Sequence, residues 1–382
     1  MPDFPPVRFL GSSFLGEIPL ADLDPQATIP LERPGGGKPS FFRLPAYFQG
    51  IEQILRKNRG ASLLGALGNR IGRPPELTEI REIRIYSEKH GRDYHPAKIE
   101  VQLGDRVLTF AMNVALTERG CQVLVNEFQV LNELKGKFPV AYLPTVYFLD
   151  ETPSSQPTGG PTAMVMYLAE WLEGFYEFHL AVDPADGRQK LVLWDTAGHN
   201  CFLTPDTADR IYGEISSILT RYYDFSSFYQ IHPWHLAAGD FIARIDPDRV
   251  AVRLVAARQY GPLIGPPDLP PEEALFFFLL NLTLHLRLDR LDGVGELVWA
   301  EAGVVEPAVH GFWRALAEKE QRHEVPQGFH FGFRAYLRSL TGQDLAAGLE
   351  ALIDSGDPRT PERSLIKANG DRHLEELAAL IL

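Results

Sequence analysis

The sequence predicts an α+β protein of two lobes, a small lobe built on an antiparallel β-sheet and a larger, mainly helical lobe. Three observations carry that expectation. From Glu79 to Leu116 apolar and polar residues alternate as in strands. From Thr117 the spacing changes to that of a helix. Beyond a Pro-rich connector, "GPLIGPPDLPP" (Gly261 to Pro271), the apolar patterning is helical to the end of the chain. A length of 382 residues fits two lobes at about 100–200 residues each. The expected division is an N-terminal extension over 1–50, a β-rich lobe over 51–168, and a helical lobe over 169–382 that carries a distinctive segment at 230–262.

Taken in order, residues 1–50 are rich in Pro and Gly and keep no period, so they read as an extended arm. "LERPGGGKPSFF" (Leu31 to Phe42) is not a phosphate loop. Glu32 stands where the first glycine belongs and Pro39 where the magnesium-binding Ser or Thr belongs. A helix is expected from about Ile51 to Ile71, and its "GALGNRIG" lacks dinucleotide-binding glycine spacing. "EIREIRIYSEKHG", "AKIEVQLG" and "RVLTFAMNVAL" read as three strands, the last two joined by a Gly104-Asp105 turn. Thr117 and Gly136 then bracket a helix whose apolar stripe is Leu124, Phe128, Leu131 and Leu134. Glu127 lies on or beside that stripe, and either faces the core with a partner or reaches water at its edge. "FPVAYLPTVYFLD" ends in a strand, "AMVMYLAEWLEGFYEFHLAVD" resumes one, and "ADGRQKLVLWD" returns it. Thr204 and Pro205 open a strongly amphipathic helix, after which comes the segment "QIHPWHLAAGDFIARIDPDRVAVRLVAARQYGP", a loop followed by two short strands. An apolar helix is expected from Glu272 to Asp292, with helices alone after it.

The composition narrows the function classes. The formal net charge is −13 and no long Lys/Arg run offsets it, "RKNRG" (Arg56 to Gly60) being the nearest, so nucleic acid is not an expected partner. Cys121 and Cys201 are the two cysteines, which suits a reducing compartment without a disulfide framework. The start lacks a basic segment followed by an apolar one, and the longest apolar run, Ala274 to Leu286, is too short to span a bilayer. The expected setting is cytoplasmic, with no membrane partner.

The order of these elements resembles that of the protein-kinase-like phosphotransferases, in particular the aminoglycoside and choline kinase branch, over Glu79 to Asp292. That branch carries a catalytic loop H-G-D-x-H-x-x-N and a metal-binding aspartate after the following strand pair. Matching Gly239-Asp240-Phe241 to the loop's end places Asp240 at the metal-ligand asparagine, His235 at the catalytic aspartate and Pro233 at the first histidine. Ala256 then falls at the second metal-binding aspartate, and "RVLTFAMNVAL" has no phosphate-contacting lysine. The resemblance implies magnesium and ATP as cofactors. It makes Asp240 the metal ligand, His235 the catalytic residue and Glu127 a cofactor-binding residue, with Lys98 of the preceding strand the cofactor-binding candidate to replace the missing lysine.

Physical chemistry weighs against the activity. Phosphoryl transfer needs magnesium on oxygen ligands, a cation on the phosphates and an oriented acceptor. Ala256 offers no oxygen, and Lys98 shares a strand face with Glu100 and Gln102 that also suits a solvated surface. His235 could act as a base near neutral pH or serve as a structural donor, and His232, His235 and Asp240 make only a sparse metal set. Trp171, Phe175, Tyr176 and Phe178 could line a ligand pocket or simply pack. The expected function is that of a kinase-like protein, a pseudokinase, that has lost standard phosphotransfer and binds a small-molecule ligand or a protein partner in the cleft between its lobes. The alternatives are an active ATP-dependent small-molecule phosphotransferase with non-standard catalytic residues, and a scaffold with an empty cleft.

Overall fold

The computed structural model describes residues 4–13, 16–19, 27–31, 40–88, 93–154, 163–194, 200–263, 269–301, 303–356 and 360–382. The glycine-rich 32–39, most of the loop 151–162, and 264–268 of the Pro-rich connector lie outside the described residues. The chain is α+β and divides into two compact units, Met1–Lys135 with Pro144–Glu173, and Gly136–Leu143 with Gly174–Leu382.

The first unit contains β1 (Val7–Ser13), β2 (Gly16–Pro19), β3 (Thr28–Leu31), β4 (Ser40–Arg43), α1 (Leu44–Ile71), β5 (Ile80–Ser87), β6 (His95–Leu103), β7 (Arg106–Ala115), α2 (Glu118–Lys137), β8 (Val146–Pro153) and β9 (Ala163–Glu170). Seven strands form one sheet in the order β2-β1-β5-β6-β7-β9-β8. The three strands read from alternation pair antiparallel, with Ile85 opposite Ile99 and Ile99 opposite Phe110. The sheet is mixed because β1 joins β5 in parallel, Val7 opposite Ile83. Residues 1–50 are therefore more than an extended arm. Ile29 and Phe42 of that stretch are buried in the core. The helix also starts earlier than Ile51, at Leu44, and is interrupted near its middle, where Asn58 and Arg59 take positive φ of 51° and 59°.

The pleat sorts side chains onto two faces. Ile83, Ile85, Ile99, Val101, Phe110, Met112, Met166 and Leu168 pack with Tyr47, Phe48, Ile51 and Ile54 of α1 into one apolar core. Each such large side chain contributes roughly 1.5–3 kcal/mol on burial. Tyr167, between two core residues of β9, faces the other way and meets Phe128 of α2 at 5.9 Å. The sheet thus lies between α1 on one side and α2 on the other.

The second unit contains β10 (Tyr176–Val182), β11 (Gln189–Trp194), β12 (Asn200–Phe202), α3 (Pro205–Arg221), β13 (Tyr229–Ile231), β14 (Phe241–Asp246), β15 (Arg249–Leu254), β16 (Tyr260–Pro262), α4 (Pro271–His285), β17 (Leu288–Arg290), β18 (Leu297–Trp299), α5 (Val305–Gln321), α6 (Phe329–Ser339), α7 (Gly342–Ser355) and α8 (Pro361–Ile381). Five strands form a sheet in the order β12-β11-β10-β14-β15. Thr204 caps α3 as its sequence suggests, accepting from the Thr207 amide at 3.3 Å. The helix expected over Glu272 to Asp292 stops at His285, and β17 pairs with β18 where helices alone are expected. A tertiary contact accompanies the change: Asp289 accepts the amide of Leu180 at 2.8 Å, and its other oxygen accepts the neighbouring Arg290 amide at 2.7 Å. Among the described residues no helix is long and apolar enough to cross a membrane.

The crossing of α3 and α5 shows how tightly this unit is set. Ser216 Oγ donates to the Ala308 carbonyl at 2.5 Å, and Arg221 reaches Glu318 through two nitrogens at 3.0 and 2.9 Å. A Cβ on Gly311 would stand 2.0 Å from the Gly213 carbonyl oxygen. Gly311→Ala is expected to cost about 3 kcal/mol in urea unfolding. Gly65→Ala, on an exposed position of α1 with nothing within 4 Å, is expected to add about 0.5–1 kcal/mol.

The end of α8 is fixed by Arg287, 1% exposed, which donates to His373 Nδ1 at 3.2 Å and the Ala300 carbonyl at 2.8 Å, and pairs with Glu376. His373 in turn faces Thr283 Oγ1 at 3.1 Å. Burial, with the Arg287 charge, pushes His373 down to about 3. The unfolded imidazole titrates near 6.5, so this neutral group's stabilisation is complete above that pH and is lost as pH falls toward 3. Denaturation from pH 7.5 to 4.5 is expected to show a decline of about 1.4 kcal/mol per pH unit from this group below about pH 6. His373→Gln is expected to be less stable at pH 7.5 and to have a shallower decline.

Candidate functional site

The residues singled out by sequence fall in both units. Lys98 and Glu127 belong to the first. Lys98 stands opposite Ala111 in the β6–β7 ladder, and Ala111 opposite Ala169. Ala169 and Tyr167 are two apart on β9, so Lys98 lies on the α2 face of the sheet. Its ammonium pairs with Glu100 at 2.7 Å and lies 5.3 Å from the Tyr86 ring and 5.7 Å from the Trp171 ring. Lys98 is therefore half-buried and paired rather than simply solvated. Glu127 is 0% exposed, which places it inside the packing of α2 rather than at its watery edge.

His235 and Asp240 belong to the second unit, and the loop brings them together. A single 3₁₀ turn, Leu236–Ala238, separates them and is closed by Gly239 at φ 67°. The conformation requires glycine twice over. Positive φ disfavours a side chain, and a Cβ there would meet the Glu177 carboxylate at 2.9 Å. The turn aims Asp240 inward: Oδ2 accepts the His235 amide at 2.8 Å, and the Asp240 carbonyl accepts the Val255 amide at 2.8 Å. Behind the loop Trp234 packs edge-on to Phe241 at 5.7 Å and near His285 at 6.0 Å. Burial, with the charges of His235 and His232, pushes His285 down to about 4.

Asp240 is 1% exposed, and its charge is met by Arg258 rather than left for a ligand. Nη1 of Arg258 lies 2.6 Å from Oδ2 and Nη2 lies 2.7 Å from Oδ1, a planar two-point pair. Ala256, where a second metal-binding carboxylate is expected in the resembled family, is 4% exposed and carries no oxygen on its side chain. Magnesium requires several oxygen ligands in octahedral array. With both Asp240 oxygens on a guanidinium, the residues present do not fit that ion. Among the described residues no group of three or more His, Cys, Asp or Glu is placed to hold a metal.

Arg258 carries no sequence signal of its own, since an arginine two places after Ala256 belongs to no motif. A second cluster was equally silent. His179 of β10 is 1% exposed, and its Nδ1 faces Asp289 at 3.1 Å while Nε2 faces Glu177 at 3.5 Å. Burial works to lower this imidazole, but the hydrogen bond to Asp289 and the negative charges of Asp289 and Glu177, the latter facing an Nε2 that makes no hydrogen bond among the described residues, outweigh it and hold it up at about 9. Of the four aromatic residues of the stretch 171–178, one is buried and three are partly exposed. Phe178 is 2% exposed, Phe175 lies under Arg244 at 5.1 Å and Arg253 at 5.3 Å, and Tyr176 sits in the ladder opposite Ala243.

Two shallow depressions lie elsewhere, one beside Glu320, His323 and His330 and one along Cys121, Val125 and Gln129 of α2. Neither includes Lys98, Glu127, His235 or Asp240. No protein-family model matches this chain, and no curated protein is found to be similar to it.

Removing one partner of the buried pair strands the other. Asp240→Ala is expected to lower stability by about 3–4 kcal/mol, and His235→Ala, which keeps the backbone amide, by less than about 1.5 kcal/mol in the same denaturant titration.

Proposed function

We propose that this chain is a kinase-like protein that does not carry out standard phosphotransfer and acts by binding a ligand or a protein partner. The observation that carries the reading is the two-point contact of Arg258 on Asp240 at 2.6 and 2.7 Å. In a working phosphotransferase a loop carboxylate or amide holds a divalent cation, and that cation neutralises the phosphates. Here the protein's own guanidinium supplies the positive charge, cannot be deprotonated, and brings no coordination sites for a substrate. The carboxylate is satisfied before any nucleotide arrives.

The order of elements supports the kinase-like part of the reading. Three antiparallel strands are followed by a helix bearing Glu127, two more strands, the long helix α3, a loop and the β14–β15 hairpin. Strands β10 to β12 intervene before α3. The strand that lacks lysine, β7, has Ala111 beside Lys98, and Lys98 is neutralised by Glu100 at 2.7 Å. A phosphate arriving there would have to displace that carboxylate.

Transfer of labelled phosphate from magnesium-ATP to a panel of hydroxylated and aminated small molecules is expected to stay at the level of a protein-free control, and melting temperature is expected to be indifferent to magnesium. Robust transfer that disappears in Asp240→Ala would overturn the reading and favour an active enzyme with non-standard residues.

A further inference from the structure

We propose that the loop 232–240 is braced from the strand side by a protonated His179 acting through Glu177, so that a proton, rather than a metal ion, helps to hold the loop in place. This rests on reading the loop as an element set without a metal, but it is tested on the loop itself.

The geometry runs in one line. Asp289 on β17 is 1% exposed and is fixed by the amides of Leu180 and Arg290. It faces Nδ1 of His179, whose Nε2 faces Oε2 of Glu177. The other oxygen of Glu177, Oε1, rests against Gly239, close enough that a Cβ there would stand 2.9 Å away. Gly239 is the residue before Asp240, and the pairing of Glu177 with Ile242 in the β10–β14 ladder keeps strand and loop in step. The groups around the imidazole leave little ambiguity about what charges it. Glu177 on its own strand and Asp289 on β17 face it. Trp194 of β11 meets the ring at 5.2 Å, and the turn after β17 contributes the Gly293 backbone, and neither is ionisable.

Electrostatics makes the proton necessary. Two carboxylates flanking a ring that is 1% exposed would repel each other through a medium that screens poorly. An imidazolium between them offsets that repulsion, and Glu177, whose side chain is 37% exposed, is the more solvated of the two carboxylates. Without the proton one ring nitrogen turns acceptor toward a carboxylate, and the contact that seats Glu177 on Gly239 is weakened.

The test is a titration of the full chain carrying ¹³C-labelled histidine and glycine, followed by nuclear magnetic resonance through the alkaline range. His179 is expected to lose its proton at about pH 9, and the Gly239 α-carbon is expected to shift with the same midpoint. Glu177→Gln, a half-exposed change that keeps the side chain's shape, is expected to lower the His179 midpoint and abolish the Gly239 inflection. An imidazole that titrates near the ordinary 6.5 would overturn the proposal, as would a Gly239 signal that ignores His179. The wild-type titration decides the matter even where the variant does not fold. Because no nucleotide is present, its failure is separable from a failure of the proposed function.

Discussion

The second unit depends on a carboxylate that has been taken out of water and given a permanent partner. Desolvating Asp240 is costly, and a lone ion at 1% exposure would protonate or unfold its surroundings. Arg258 removes that option with a planar contact to both oxygens, and the His235 amide adds a third bond. These bonds tie together three pieces of chain: the loop before β14, the residue that starts the hairpin, and the stretch that leaves it. The turn 236–239 and the β14–β15 ladder bring the three together, and the Asp240 carbonyl adds a bond from the Val255 amide at 2.8 Å.

The same logic recurs through the unit. Arg221 is held by Glu318 and Ser217, Arg287 by His373, Glu376 and two carbonyls, and Lys319, 3% exposed, by Glu324. Each ion is buried with a partner of opposite charge or a full set of acceptors, as the cost of burying charge requires. Such pairs add little stability over apolar packing, but they penalise any arrangement that separates them. A unit built this way favours one low-energy arrangement of its loops.

Elements governed by local pattern were legible in the sequence. Alternation gave β5, β6 and β7, and Thr204 with Pro205 marked the start of α3 to the residue. What escaped was decided by distant partners. Strand β1 is extended because β5 offers it a parallel edge, and no period in residues 7–13 announces that. The apolar run ending near Asp292 reads as helix throughout, yet Asp289 is diverted to the amide of Leu180, 109 residues away in the chain. The continuous strand read through "AMVMYLAEWLEGFYEFHLAVD" is two strands of different units, parted near Gly174 at φ 74°. At the site, Asp240 and His235 were found through the loop resemblance. Arg258, Glu177, His179 and Asp289 were not, because each acquires its role from a partner on another element.

A double-mutant cycle between Asp240 and Arg258 addresses the central claim most directly. Stabilities of wild type, Asp240→Asn, Arg258→Met and the double variant would be measured in a chelator and again in saturating magnesium. A self-neutralised loop gives a coupling of about 2–3 kcal/mol that magnesium leaves unchanged. A coupling near zero, or a wild type stabilised by magnesium through Asp240, would contradict it and return the carboxylate to service as a metal ligand.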